Sequence, residues 1–142
     1  MQEIFVPVDG SENSTRAARV AARLARGLGA ELCLFHVLSA VSTELVGLAS
    51  LPAEEIDRIR ASAGRRAFDA VREAVADELP ADLRERTAIG DPAEEIVRLS
   101  EAHPDSLLVM GRRGRSPMKN LVMGSVSDKV LRHAATPVTV VS

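Results

Sequence analysis

Residues 4–11 read Ile4-Phe5-Val6-Pro7-Val8-Asp9-Gly10-Ser11. A short, nearly continuous apolar run without polar alternation describes a strand buried on both faces. The acidic residue, glycine and serine that follow mark a turn and a helix cap, with capping residues available from Ser11 to Ser14. Ala17, Val20, Ala21, Leu24 and Leu28 then recur at helical spacing, with Gly27 and Gly29 near their end. A buried strand feeding an amphipathic helix is the first half of a strand–helix–strand unit.

The pattern continues outward from there. Residues 32–38 form a second apolar run, and a polar-poor connection leads to Pro52, Glu54 and Glu55, good first-turn residues. Ile56, Ile59, Ala63, Phe68, Val71, Val75 and Leu79 extend a long helix that Pro80 terminates. Residues 84–89 carry a weaker strand pattern. Asp91-Pro92-Ala93-Glu94 places Asp at a helix N-cap, Pro at the first helical position and Glu at the third, ahead of Ile96, Val97 and Leu99. Residues 106–110 read as a strand, residues 126–135 as a helix opened by Ser125-x-x-Asp128, and residues 138–141 as a last strand after Pro137. Strands alternating with helices in this way pair in parallel through right-handed crossovers, with helices on both faces of an open α/β sheet. Pro7 removes a ladder donor, so a bulge or the end of pairing is expected there, aiming Asp9 out of the sheet.

Composition narrows the function. The 142 residues carry 18 Lys+Arg against 20 Asp+Glu, a net charge of −2, so no global positive field holds nucleic acid or an anionic membrane. With no Trp or Tyr and only Phe5, Phe35 and Phe68, base stacking of the single-strand-binding kind has almost no side chains to use. Cys33 is the single cysteine, which excludes an intramolecular disulfide and Cys-cluster metal sites; inside an apolar strand it reads as a small buried hydrophobe. No apolar run approaches the roughly 20 residues of a membrane span. The N-terminus has no basic segment or cleavage site, so a single cytoplasmic domain over residues 1–142 is expected.

The chemistry concentrates in Gly111-Arg112-Arg113-Gly114, nine further residues, then Gly124-Ser125. Gly111 follows a strand and Gly124 precedes a helix, so backbone N–H groups and a helix dipole face the same space, a setting suited to phosphate oxygens. Arg112, Arg113, Arg115 and Lys119 surround the glycines, and no acidic residue occurs from Gly111 through Ser127. From spacing alone the same residues also fit a solvated loop and a tight turn before a capped helix. Asp9, at the carboxyl end of the first strand, suits ribose hydroxyls or a base amino group if the first and fourth strands are neighbours; it equally suits a turn or cap. The P-loop pattern is absent, and Gly27-Leu28-Gly29 lacks the third glycine of a dinucleotide fingerprint and lies between helix and strand. His36, His103 and His133 read as core or helix-end histidines rather than catalytic ones.

With these residues in view, the chain resembles the universal stress protein family over essentially its whole length. The resemblance rests on residues 4–11, Phe35-His36-Val37, Gly90-Asp91-Pro92 and residues 111–141, and the G-2x-G-9x-G-[S/T] spacing is that of the family's ATP-binding subclass. It implies a five-stranded parallel sheet ordered 3-2-1-4-5, a Rossmann-like or adenine nucleotide alpha hydrolase-like arrangement. It also implies ATP, accompanied by Mg2+ or Mn2+ on the phosphates. Carried over by position, Val8 and Asp9, with Pro7 before them, meet adenine and ribose, and Val37 or Leu38 lines the base pocket. Met110 and Gly111 flank the nucleoside. Arg113, Gly114, Gly124, Ser125, Val126 and Ser127 surround the phosphates, mostly through backbone N–H, with the two hydroxyls assisting. A homodimer through Val138, Val140 and Val141 of the last strand is likewise implied. Two positions depart from the family pattern: Arg112 stands where Ser or Thr is common, and Thr139 where the last strand is usually apolar.

The function this implies is a regulatory domain that binds ATP and turns it over slowly, because no general base or water-orienting residue lies in the charged segment. A nucleotide-independent interaction module of the same fold is the alternative. A KH-type GxxG loop for RNA is discounted, because that loop joins two helices and this one follows a strand.

Overall fold

The computed structural model describes residues 1–40, 51–114 and 123–142, so Arg115 and Lys119 of the basic segment lie outside the described residues. The element order is β1 (Glu3–Pro7), α1 (Glu12–Leu28), β2 (Glu31–Ser39), α2 (Ala53–Val75), β3 (Arg84–Gly90), α3 (Pro92–Ala102), β4 (Ser106–Gly111), α4 (Ser125–His133) and β5 (Val138–Val141). The strands form one parallel sheet ordered β3-β2-β1-β4-β5, as expected.

Strand alternation divides the apolar runs between two layers. Ile4, Val6 and Val8 of the first strand segment, Leu32 and Leu34 of β2, and Leu107 and Val109 of β4 pack under α1 and α2. Phe5, Cys33, Phe35, Leu108 and Met110 point the other way, against Ala93 and Ile96 of α3 and Val130 of α4. Both faces are therefore dry, which is why these strands read as continuous apolar stretches. The helix face that covers β1 and β4 is built from Ala17, Ala18, Ala21, Ala22 and Ala25, small enough for close approach. At Gly111 a Cβ would lie 2.9 Å from the backbone of Asn13.

Local signals fix the ends of most elements. Ser11 caps α1, its Oγ accepting from Ser14 N–H at 3.2 Å, and Gly29 ends it at φ 65° with its N–H donating to Ala25 O. Asp91 caps α3 by accepting from Glu94 N–H at 3.0 Å, with Pro92 as the first helical residue. Pro7 is the last paired residue of β1 on the β2 side, while the ladder to β4 has already ended at Phe5–Leu108. Val8 N–H donates to Phe35 O, so by alternation the missing donor of Pro7 falls on the unpaired β4 side.

Three helix boundaries differ from the expectation, one of them the end of α4, which stops at His133 rather than Ala135 because Ala134 is extended (ψ 140°). The long helix ends at Val75 and tightens into a 3-10 turn over Ala76–Glu78 rather than running to Leu79. Pro80 disfavours helical geometry at the residue before it, and Leu79 is extended (φ −76°, ψ 139°). The last helix is not opened by a Ser125–Asp128 cap. Gly124 is its N-cap, Ser125 is already helical, and Asp128 pairs instead with Arg132 at 3.0 Å. The turn comes one residue early because Gly124 N–H donates to Arg112 O at 2.8 Å, tying the helix start to the end of β4.

Candidate functional site

The sheet order reverses direction between β1 and β4: the chain winds outward through β2 and β3, then crosses back to β4 and β5. Ligands of open α/β sheets bind beyond the carboxyl ends of the strands at such a point. A cavity of about 190 Å3 opens there, with the ends of β1, β2 and β4 and the N-termini of α1, α3 and α4 around it.

One side of it is polar. Asp9 is held by a turn in which its Oδ1 accepts from Ser11 N–H at 2.9 Å, with Gly10 between them at φ 83°, a left-handed geometry that favours glycine. Opposite stands the start of the glycine loop, whose backbone is fixed at both hydrogen-bonding groups of Arg112. Its N–H donates to Val141 O at 2.8 Å and its carbonyl accepts from Gly124 N–H at 2.8 Å. Gly124 packs so closely that a Cβ there would lie 3.2 Å from Arg112 O and 3.3 Å from Arg113 Cα. The first helical hydrogen bond of α4 is Asp128 N–H to Gly124 O. The N–H groups of Ser125, Val126 and Ser127 thus have no acceptor within the helix, and a glycine cap offers none. They present a positive dipole end to the cavity. Ser127 is buried and its hydroxyl donates to Gly111 O at 2.8 Å, so its backbone N–H is the donor it offers to a ligand.

The other side is apolar: Phe35 and Val37 from β2, Pro92 and Ile96 from α3, Met110 from β4 and Val126 from α4. This end suits a flat apolar group, and the α4 end suits an anion.

Of the residues singled out in the sequence, Pro7, Val8, Asp9, Val37, Met110, Gly111, Arg113, Gly114, Gly124, Ser125, Val126 and Ser127 all line this cavity. Leu38 does not; it is buried, and of Val37 and Leu38 it is Val37 that lines the cavity. Parity carries that distinction, since Val37 shares a sheet face with Phe35 and Leu38 does not. The same parity would have found Phe35. Ser14, Pro92 and Ile96 were also missed: the capping role of Pro92 was legible, but its place at the cavity wall depends on how α3 crosses the sheet.

The architecture is that of an open parallel α/β protein with a cavity at its switch point. The chain belongs to the universal stress protein family, whose model matches residues 1–142. It is 32% identical over 144 residues to the universal stress protein YxiE of Bacillus subtilis, covering 98% of this chain and 97% of the relative. Among solved structures it is similar to the universal stress protein UspA from Lactobacillus plantarum, with a TM-score of 0.80 and 26% identity over 99% of this chain and 97% of that one. It is also similar to a universal stress protein crystallised in complex with cAMP, with a TM-score of 0.67 and 27% identity over 99% of this chain and 97% of that one.

Proposed function

We propose that this cavity binds ATP, and that the protein is a nucleotide-binding regulatory domain of the stress response that turns ATP over slowly. One observation carries the reading: an apolar slot and the uncapped N-terminus of α4 meet in a single cavity, joined by glycines that allow close backbone approach. The adenine lies between Val37, Ile96, Met110 and Val126, and Asp9 faces the ribose. The phosphates lie along Gly114 and the first turn of α4, near Arg113. The cAMP complex of a relative supports an adenine nucleotide as the ligand class.

The described residues contain no group of three or more His, Cys, Asp or Glu arranged to hold a metal ion. Mg2+ or Mn2+ accompanying ATP would neutralise charge on the phosphates. Asp9 is the one carboxylate among the described cavity-lining residues, and it faces Gly114 of the glycine loop. No second carboxylate and no histidine stands among the described cavity-lining residues, which is why slow turnover is proposed. β5 pairs with β4 on one side, and its half-buried Val138, Val140 and Val141 leave an outer edge for a second copy, giving a homodimer. No helix among the described residues is long and apolar enough to cross a membrane.

The test is direct. Denaturing the purified protein and resolving the supernatant by ion exchange should release an adenine nucleotide. Calorimetry on the emptied protein should give saturable ATP binding. Absence of both signals in a folded sample overturns the reading.

A further inference from the structure

We infer that His36 is a positioning residue that wedges β1 and β2 apart and so opens the cavity; its effect on ligand binding rests on the nucleotide reading above. The β1–β2 ladder runs rung by rung from Glu3–Glu31 to Pro7–Phe35, and Val8 N–H still donates to Phe35 O at 2.8 Å. In a parallel ladder the carbonyl of that same residue accepts next from the amide two positions further along the partner, here Val37. The ladder stops short of that rung. His36 Nδ1 lies 2.8 Å from Val8 O instead. A carbonyl only accepts, so Nδ1 carries the proton.

The imidazole thus replaces a backbone donor. Val8 is 3% exposed, and its carbonyl needs a partner when the chain leaves the sheet toward Asp9. With His36 supplying one, the strands separate one rung early. Val8 and Val37, which that rung would have tied together, both line the cavity. By ladder alternation the Val37 amide faces the β1 side, toward the gap. Without the Nδ1 donor, Val8 O takes the Val37 amide, closing the ladder by one rung and narrowing the slot between the two residues.

The experiment has one arm without ligand and one with it. In the free protein, long-range 1H–15N correlation spectra should show the His36 ring proton on Nδ1, and the Val37 amide should exchange quickly. In a folded His36→Leu variant that amide should become protected. A neutral ring whose single proton sits on Nε2, or a Val37 amide already protected in the wild type, overturns the wedge whatever the ligand is.

In the second arm, AMP and ATP are titrated by calorimetry, with inorganic triphosphate as a control that reads only the α4 end. His36→Leu should weaken both nucleotides about tenfold or more, because the closed rung narrows the slot that takes the base. His36→Asn, whose Nδ2 donates from near the position of Nδ1, should restore most of the affinity, and His36→Gln should not. Triphosphate should bind all variants alike. Equal affinities for wild type and His36→Leu, or no rescue by Asn, overturn the positioning role. A wild type that binds no nucleotide while the ligand-free arm behaves as expected fails the functional reading and leaves the wedge standing.

Discussion

Asp9 and Gly114 are in contact across the switch point: a Cβ on Gly114 would lie 2.5 Å from Asp9 Oδ2. The glycine loop after β4 therefore closes directly on the carboxylate that ends the β1 turn. Any side chain at position 114 must push that carboxylate aside and strain its bond from Ser11 N–H.

The expected outcome is a non-additive pair. Asp9→Ala should weaken ATP and AMP by about 1.5–3 kcal/mol, the cost of a lost charge-assisted hydrogen bond. Gly114→Ala should produce much of the same loss by displacing the carboxylate. The double variant should then be hardly weaker than Asp9→Ala alone, because the second change has nothing left to displace. Calorimetry on all four proteins checks this, and additive losses would mean that the two residues act separately.

Gly64 makes the corresponding contact in the core. It lies inside α2, where glycine is worse than alanine by roughly 0.5–1 kcal/mol, yet a Cβ there would lie 2.5 Å from Thr87 Cγ2. Thr87 is β-branched and stiff at χ1, so its methyl does not swing away at low cost. Overpacking of this kind costs about 1–3 kcal/mol and outweighs the helix preference. Gly64→Ala should destabilise the protein in urea denaturation. In a Thr87→Ser background, which removes the methyl, the same substitution should instead stabilise it. The same sign in both backgrounds would show that the contact does not govern the position.

These contacts mark the limit of what the chain reveals before it is folded. The doubly buried strands, the Ser11 and Asp91 caps and the parallel order were legible because period, cap chemistry and crossover handedness act locally. The glycine spacing around residues 111–125 located the α4 end of the cavity for the same reason. What escaped depends on which elements meet. Ser14, Pro92 and Ile96 reach the cavity only because α1 and α3 flank the β1–β4 crevice. The packing of Thr87 against Gly64 depends likewise on how α2 meets β3. The boundary at Gly124 was misread because Ser125-x-x-Asp128 is a good local cap, but the tertiary bond from Gly124 N–H to Arg112 O overrides it. His36 was read as a core histidine, and its bond to Val8 O follows from where β1 leaves the sheet.

Cys33 should be chemically silent in the native state. It is fully buried in β2, and burial pushes its thiol up to about 11, so almost no thiolate forms near neutrality. A thiol reagent at mildly alkaline pH should label it only when the sheet opens, at a rate that rises with urea as unfolding does. Rapid stoichiometric labelling in native buffer would contradict the packing described for this strand.

The final expectation concerns acid stability. Arg19, Arg23 and Arg26, spaced along one side of α1, converge on the end of α2. Arg23 donates to Glu78 through Nε at 2.8 Å and Nη2 at 3.3 Å, and Arg19 Nε lies 3.4 Å from the same carboxylate. Arg26 and Arg19 also donate to the carbonyls of Glu78 and Ala74 at 3.3 and 3.2 Å. The hydrogen bond from Arg23, followed by the charges of the three arginines, holds the Glu78 carboxyl below its ordinary value. A depressed folded-state pKa stabilises the fold above the unfolded value, and that contribution is lost as pH falls through the folded value. Glu78→Gln should therefore lower Tm modestly near neutrality, as expected for an exposed ion pair. The gap to wild type should close as pH falls through the depressed folded-state value of Glu78, where the wild-type carboxylate takes up its proton. Added salt should narrow the gap near neutrality as well, because the contacts are at the surface. Melting curves from neutrality down through that value decide the point: a gap that stays constant with pH would assign the loss to packing of the side chain rather than to its charge.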